Sequence, residues 1–362
     1  MLNNNISQPV SNPGYVTTPT LSTFNKELVT EIKSWRQIDI CPACQMRSVT
    51  KFATIRHMPY SRCRACGFRF ANPVPSDKVL SAFYNSPFYC NYRQLEEKQI
   101  AQGNHFSISI GTDTMHHLAT WLGNDKSLKI LDYGCGPGTF VSLLRDKFNF
   151  LNVEGLELNR QSVVIAKRNY DLTIALSPEE LQHQLYDCVT LLEVIEHLPE
   201  PDIFFKQIAS LVKPGGCILI ATPAVDNLLG LFFPWYADAP YTAPCHISLF
   251  TKKALICLLS RFGFNIERIE IQQSWGVMEK LFASLVYELD FLSPRHDDDF
   301  NDLLYTPNAL GRLLGLQPQR SLPSNLFFRT LRRIDGLLAR IAKRLPSVPM
   351  NGHMYVLARR HS

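Results

Sequence analysis

Lys129-Ile130-Leu131-Asp132-Tyr133-Gly134-Cys135-Gly136-Pro137-Gly138 decides the fold. An apolar run ends in an acid, and three glycines then alternate with other residues. Thr139 to Leu144 reads as the start of a helix. A strand that turns sharply into a helix leaves backbone N–H groups facing outward. Glycines there let a ligand approach the main chain with no Cβ in the way. The stretch therefore predicts a nucleotide or nucleotide-like cofactor site.

Outward from that turn, strands alternate with helices. Strand patterns lie at 129–134, 152–157, 172–175, 187–192 and 217–222. Helical patterns lie at 138–148, 160–169, 178–184 and 201–212. This alternation predicts right-handed βαβ units and a parallel sheet with helices on both faces. Lys213-Pro214-Gly215-Gly216 reads as a turn before the fifth strand. A helix at 251–262, a strand at 265–272 and a strand beginning at Gly352 complete the pattern. The last two strands are expected to pair antiparallel, with 274–351 inserted between them.

The spacing Asp132-x-Gly134-x-Gly136-x-Gly138 excludes the nicotinamide fingerprint, because Thr stands at 139. No Gly-Lys-Ser/Thr follows, so it is not a P-loop. Glu157 closes the second strand about 20 residues past the turn, where an acid accepts both hydroxyls of a ribose.

Upstream, Cys41-Pro42-Ala43-Cys44 and Cys63-Arg64-Ala65-Cys66-Gly67 form two C-x-x-C knuckles. Four thiolates close a tetrahedral shell and leave no place for substrate, so Cys41, Cys44, Cys63 and Cys66 are expected to hold structural zinc. The remaining six of the ten cysteines are scattered through apolar segments. That pattern fits a reducing compartment rather than a disulfide framework, and the expected location is cytoplasmic. The N-terminus shows no signal-peptide pattern, and no apolar run approaches the ~18 residues of a membrane span. A net charge of +5 over 362 residues does not argue for nucleic acid.

Residues 1–36 are disordered or loosely packed, and 37–76 form the zinc ribbon. An aromatic-rich linker or lid covers 77–104. A core spans 105–273, a helical insert 274–351, and a final core strand 352–362. The insert ends in a basic amphipathic helix at 327–345, which suits either an anionic membrane surface or a packed face.

The glycine turn, Glu157, Glu193-Val194-Ile195-Glu196-His197 and the Lys213–Gly216 turn together resemble class I S-adenosylmethionine-dependent methyltransferases, over roughly 105–273 plus the last strand. The resemblance implies a Rossmann-like, seven-stranded sheet. It also implies that Asp132, Gly134, Cys135, Gly136 and Gly138 face the methionine part of the cofactor, with Glu193 nearby. Glu157 and Leu158 would face the ribose, and Leu176 and Ser177 the adenine. The module order (zinc ribbon, Asn72-Pro73-x-Pro75 exit, Tyr-rich stretch, core) is similar to bacterial methyltransferases of glycan, nucleotide-sugar and natural-product pathways.

Methyl transfer from a sulfonium needs the acceptor aligned and its proton removed. Glu193, Glu196 and His197 stand at i, i+3 and i+4 and would share one face of a helix. With a later His246-x-x-x-Phe250-Thr251, the segment resembles small-RNA 2′-O-methyltransferases and ubiquinone-pathway O-methyltransferases. That resemblance implies a divalent cation, such as magnesium, on Glu193, Glu196, His197 and His246. Two other readings stay open: catalysis by His197 or His246 without metal, and a structural role for the acids. Tyr89, Trp235 and Tyr236 are candidates for acceptor contact.

The expected function is O-methylation of a hydroxyl on a sugar, glycan precursor or related small metabolite. An RNA methyltransferase, a sugar C-methyltransferase and a non-enzymatic cofactor-binding scaffold are the alternatives.

Overall fold

The computed structural model describes residues 29–55, 58–86, 112–181, 185–226, 245–273, 333–334, 337 and 352–362. Its strands are β1 (Val49–Ile55), β2 (Met58–Cys63), β3 (Arg69–Ala71), β4 (Lys129–Tyr133), β5 (Asn152–Leu156), β6 (Ile174–Ala175), β7 (Tyr186–Leu192), β8 (Val212–Pro223), β9 (Ser248–Leu249), β10 (Phe264–Gln273) and β11 (Gly352–Arg360). The helices are α1 (Asp77–Tyr84), α2 (Thr112–Thr120), α3 (Thr139–Asp146), α4 (Arg160–Tyr170), α5 (Pro201–Leu211) and α6 (Lys252–Arg261).

Seven strands form one sheet in the order β10-β11-β8-β7-β4-β5-β6. From β8 through β6 the neighbours are parallel. β11 pairs antiparallel with β10, as the pattern predicts, and is also antiparallel to β8, so the last strand slots between them. β7 is Tyr-Asp-Cys-Val-Thr-Leu-Leu and almost wholly buried, which is what a central strand covered on both faces demands. Asn159 caps α4 by accepting from the Ser162 N–H at 3.0 Å.

β4 pairs β5 on one side and β7 on the other. The chain reverses its direction of winding between β4 and β7, so a crevice opens at their carboxyl ends. Gly134–Gly138 follows β4 and Glu193–His197 follows β7, which puts both motifs on that crevice.

The Lys-Pro-Gly-Gly stretch is not a turn before the fifth strand. β8 runs through it from Val212. The pairing with β7 jumps from Tyr186↔Val212 to Cys188↔Cys217, so the extra residues are absorbed as an irregularity inside the strand. A Cβ on Gly216 would lie 2.9 Å from the Asp187 carbonyl oxygen, so only glycine permits this close approach.

The cysteine ribbon is not a separate body. Its strands form a second sheet in the order β1-β2-β3-β9, and β9 comes from the core. Cys41, Cys63, Cys66, Phe68 and Phe70 belong to the same buried apolar cluster as β4, β7 and β8. The first boundary also shifts, because residues 29–36 are docked. Trp35 is buried and Arg36 bridges Val74. The aromatic linker is described only through Ser86, and the basic helix at 327–345 lies outside the described residues except at three positions.

Candidate active site

Gly134, Gly136 and Gly138 all have positive φ, the left-handed region that favours glycine. Their surroundings differ. A Cβ on Gly134 would come 2.7 Å from Val194 Cγ2, and one on Gly138 would come 2.6 Å from Leu172 Cδ1. At Gly136 a Cβ meets nothing within 4 Å. The outer glycines are required by packing, whereas the middle one borders open space.

Glu157 leans over that space. One carboxylate oxygen accepts from the Gly136 N–H at 2.9 Å and the other from the Asn159 N–H at 2.7 Å. A cradle with one open glycine and an acid at the end of the second strand fits S-adenosylmethionine. The methionine part would face Gly136, and the ribose hydroxyls would face Glu157.

Asp132 and Cys135 lie beneath the cradle rather than in it. Asp132 is buried and its Oδ1 accepts from Thr190 Oγ1 at 2.5 Å. Burial pushes its carboxyl up to about 7, Thr190 pulls it down, and the Glu157 charge raises it. Burial also pushes the Cys135 thiol up. Leu158 is exposed, and Leu176 and Ser177 directly follow β6, with the Leu176 N–H donating to Glu180 at 3.0 Å.

The acids after β7 do not share a helical face. Glu193 takes a left-handed conformation with φ 58°, which non-glycine residues adopt at a cost. A short 3-10 turn then covers Ile195–His197. Glu193 is thereby split from Glu196. Its Oε2 lies 3.3 Å from Nε2 of His353 on β11, and its Oε1 is buried with no hydrogen-bond partner among the described residues. The four-residue cation set drawn from the sequence is thus corrected to three.

Glu196, His197 and His246 do converge, each offering a ligand atom within 4.8 Å of the others. The two imidazole rings meet edge-on at 4.8 Å. Buried Glu196 accepts from Thr222 Oγ1 at 3.0 Å. His197 Nδ1 lies 2.9 Å from the Cys245 carbonyl oxygen and must carry the proton to bond it. Nε2 of His197 then keeps its lone pair, as a general base or a metal ligand requires. Tyr84, at the end of α1, brings its hydroxyl to 3.4 Å from the same Nδ1. Tyr60 of the ribbon donates to the His246 carbonyl at 2.7 Å. The ribbon therefore forms one wall of this cluster.

At the ribbon's far side, Cys41 and Cys66 bring their sulfurs to 3.6 Å, as do Cys44 and Cys63. A tetrahedron with metal–sulfur bonds of ~2.3 Å has edges of about 3.8 Å, so the donor set fits zinc. Thr251, the cap of α6, donates to the Cys66 carbonyl at 2.6 Å. Arg261, at the helix's other end, donates to the carbonyls of Pro42 and Ala43 at 2.6 and 3.1 Å. Both knuckles are thus clamped along one core helix.

Tyr89, Trp235 and Tyr236 lie outside the described residues. His353 and Tyr60 had no motif to mark them, whereas Tyr84 falls in the aromatic-rich stretch 77–104 expected to form a linker or lid. Each reaches the site through tertiary placement from a distant strand or helix.

A family model described as a methyltransferase domain matches residues 108–269. The ubiquinone biosynthesis O-methyltransferase of Rickettsia typhi is 37% identical over 105 residues, which cover 27% of this chain and 43% of that protein. The 2-methyl-6-phytyl-1,4-hydroquinone methyltransferase of a Synechocystis species is 32% identical over 122 residues, covering 30% of this chain and 37% of that one. The chain spans less than half the length of these curated relatives. Among solved structures, phosphoethanolamine N-methyltransferase 2 of Haemonchus contortus, in complex with S-adenosyl-L-methionine, aligns with a TM-score of 0.48 at 20% identity, covering 81% of this chain and 62% of that one.

Proposed function

We propose that this chain, whose residues 108–269 match a family model described as a methyltransferase domain, is a class I S-adenosylmethionine-dependent methyltransferase that methylates a hydroxyl of a sugar, glycan precursor or related small metabolite. The observation that carries the hydroxyl is the convergence of Glu196, His197 and His246 at the carboxyl edge of the sheet. The segment that bears Glu196 and His197 begins at Val194, which packs on Gly134 of the cradle. The relatives named as O-methyltransferases support the same reading.

S-adenosylmethionine, when bound, supplies a methyl group activated by its sulfonium. The chain's own residues supply position and proton removal. Gly136 would leave room for the methionine part, and Glu157 would hold the ribose. With Nδ1–H of His197 donated to the Cys245 carbonyl, Nε2 is the nitrogen that takes the acceptor's hydroxyl proton. Glu196, fixed by Thr222, stabilises the imidazolium that results. Should a divalent cation be used, Glu196, His197 and His246 would hold it, and it would lower the hydroxyl's pKa. Zinc on the four ribbon cysteines would be structural, keeping β9 and the His246 carbonyl in place.

The test is transfer of labelled methyl from S-adenosylmethionine into a fractionated metabolite extract, with and without a chelator, for wild type, Glu196→Gln and His246→Ala. The expected product carries a methyl ether, and both variants lose most turnover. Label on carbon or nitrogen, or full turnover in both variants, would overturn the reading.

A further inference from the structure

The ribbon sheet contains a buried charge. Arg69 of β3 is 4% exposed, and its Nε and Nη1 are buried without a hydrogen-bond partner among the described residues. Buried guanidinium groups are ordinarily paired, because an unpaired charge in the interior is costly. Directly opposite Arg69 across the ladder stands another arginine, Arg62 of β2. Like charges facing each other across a strand pair are destabilising. Burial, then the Arg62 charge, draws the Arg69 pKa down to about 10, and Asp226 only partly offsets this. Asp226 is itself engaged with the backbone, accepting from the Lys252 N–H at 2.9 Å.

The guanidinium is flanked by an aromatic ring. Its carbon lies 4.7 Å from the centre of the Phe52 ring. Phe52 is the residue at which the β1–β2 pairing skips between Lys51 and Ala53. A stacked guanidinium keeps its N–H fork in one plane, the geometry that binds carboxylate and phosphate through two oxygens. Tyr60 and Arg62 are two residues apart on β2, so they share a face about 7 Å apart. Tyr60 is the residue that donates to the His246 carbonyl. The two arginines therefore lie on the same face of the ribbon sheet as the tyrosine that bonds the His246 carbonyl.

We infer that Arg69, seconded by Arg62, binds an oxyanion, a phosphate or carboxylate group carried by the methyl acceptor. That the group belongs to the acceptor rests on the proposed function, whereas the anion site itself does not. Such a ligand would bring a hydroxyl to the histidines and its anionic group to the arginines. The ribbon would then select the acceptor by charge.

The test uses the full, zinc-loaded chain titrated calorimetrically with pyrophosphate, inorganic phosphate and citrate. Wild type, Arg69→Met and Arg62→Gln are compared. Wild type is expected to bind at least one of these anions saturably. Arg69→Met should weaken that binding ten-fold or more, and Arg62→Gln a few-fold. Without anion, Arg69→Met should melt no lower than wild type, since it removes an unpaired buried charge. Added anion should raise the melting temperature of wild type but not of Arg69→Met.

No saturable binding to wild type would overturn the inference, as would equal affinity in Arg69→Met. If Arg69→Met does not fold, the exposed Arg62→Gln decides, and unchanged affinity there overturns it. S-adenosylmethionine titrated into the same samples separates the two readings. A chain that binds pyrophosphate but not the cofactor keeps the anion site and loses the proposed function. Pyrophosphate competing with the acceptor in the methyl-transfer assay would place the anion on the acceptor, and inhibition independent of acceptor concentration would make it a free-anion site.

Discussion

Replacing Asp132 with asparagine should make the protein more stable, and by an amount that grows with pH. Asp132 is 2% exposed at the end of β4. Burial lifts its carboxyl from 3.8 to about 7, against the pull of the hydrogen bond from Thr190. Between these values the folded chain holds a proton that the unfolded chain has released. Stability must therefore fall as pH rises from about 4 to about 7, and level off above that. Each pH unit in the window is worth about 1.4 kcal/mol, so the loss approaches about 4 kcal/mol. Asp132→Asn keeps Oδ1 as the acceptor for Thr190 and does not titrate. Urea unfolding of both proteins across this range should show Asp132→Asn gaining a few kcal/mol on wild type between pH ~4 and ~8. A gap that does not change with pH would refute the reasoning.

The glycine turn offers a contrast. Gly134→Ala and Gly138→Ala should each cost roughly 1–3 kcal/mol in urea unfolding, because each puts a Cβ within 2.7 Å of a neighbour at positive φ. Gly136→Ala should cost about 1 kcal/mol or less and yet weaken S-adenosylmethionine at least ten-fold by calorimetry, since its Cβ enters open space. Thr251→Val removes both the cap of α6 and the bond to the Cys66 carbonyl, and thermal unfolding should report a loss of about 1–2 kcal/mol. Stripping the ribbon with a strong chelator should release one zinc per chain by elemental analysis and lower stability by a few kcal/mol.

The core was readable because its signals are local. Buried parallel strands are short apolar runs, and 129–134, 152–157 and 187–192 match the observed ends to within a residue, as does the antiparallel edge strand at 265–272. Where the signal depends on tertiary partners, reading failed or was silent. Lys213-Pro214-Gly215-Gly216 has turn composition, but Asp187 binds Lys213 at 2.8 Å and holds the stretch inside β8. Glu-Val-Ile-Glu-His has helical spacing, but the left-handed backbone at Glu193 sends that acid to His353 instead of to the histidine pair. Nothing in the sequence joins Arg69 to Leu249, or Tyr60 to His246, across about 180 residues. Those contacts make the ribbon part of the site rather than an appendage, and only folding reveals them.

The crevice after β4 and β5 is expected to hold S-adenosylmethionine. Calorimetric titration of the cofactor into wild type and Glu157→Ala tests it most directly. The account predicts one saturable site per chain in the micromolar range, weakened ten-fold or more in Glu157→Ala. No heat of binding to wild type at millimolar cofactor, or equal affinity in the two proteins, would contradict it.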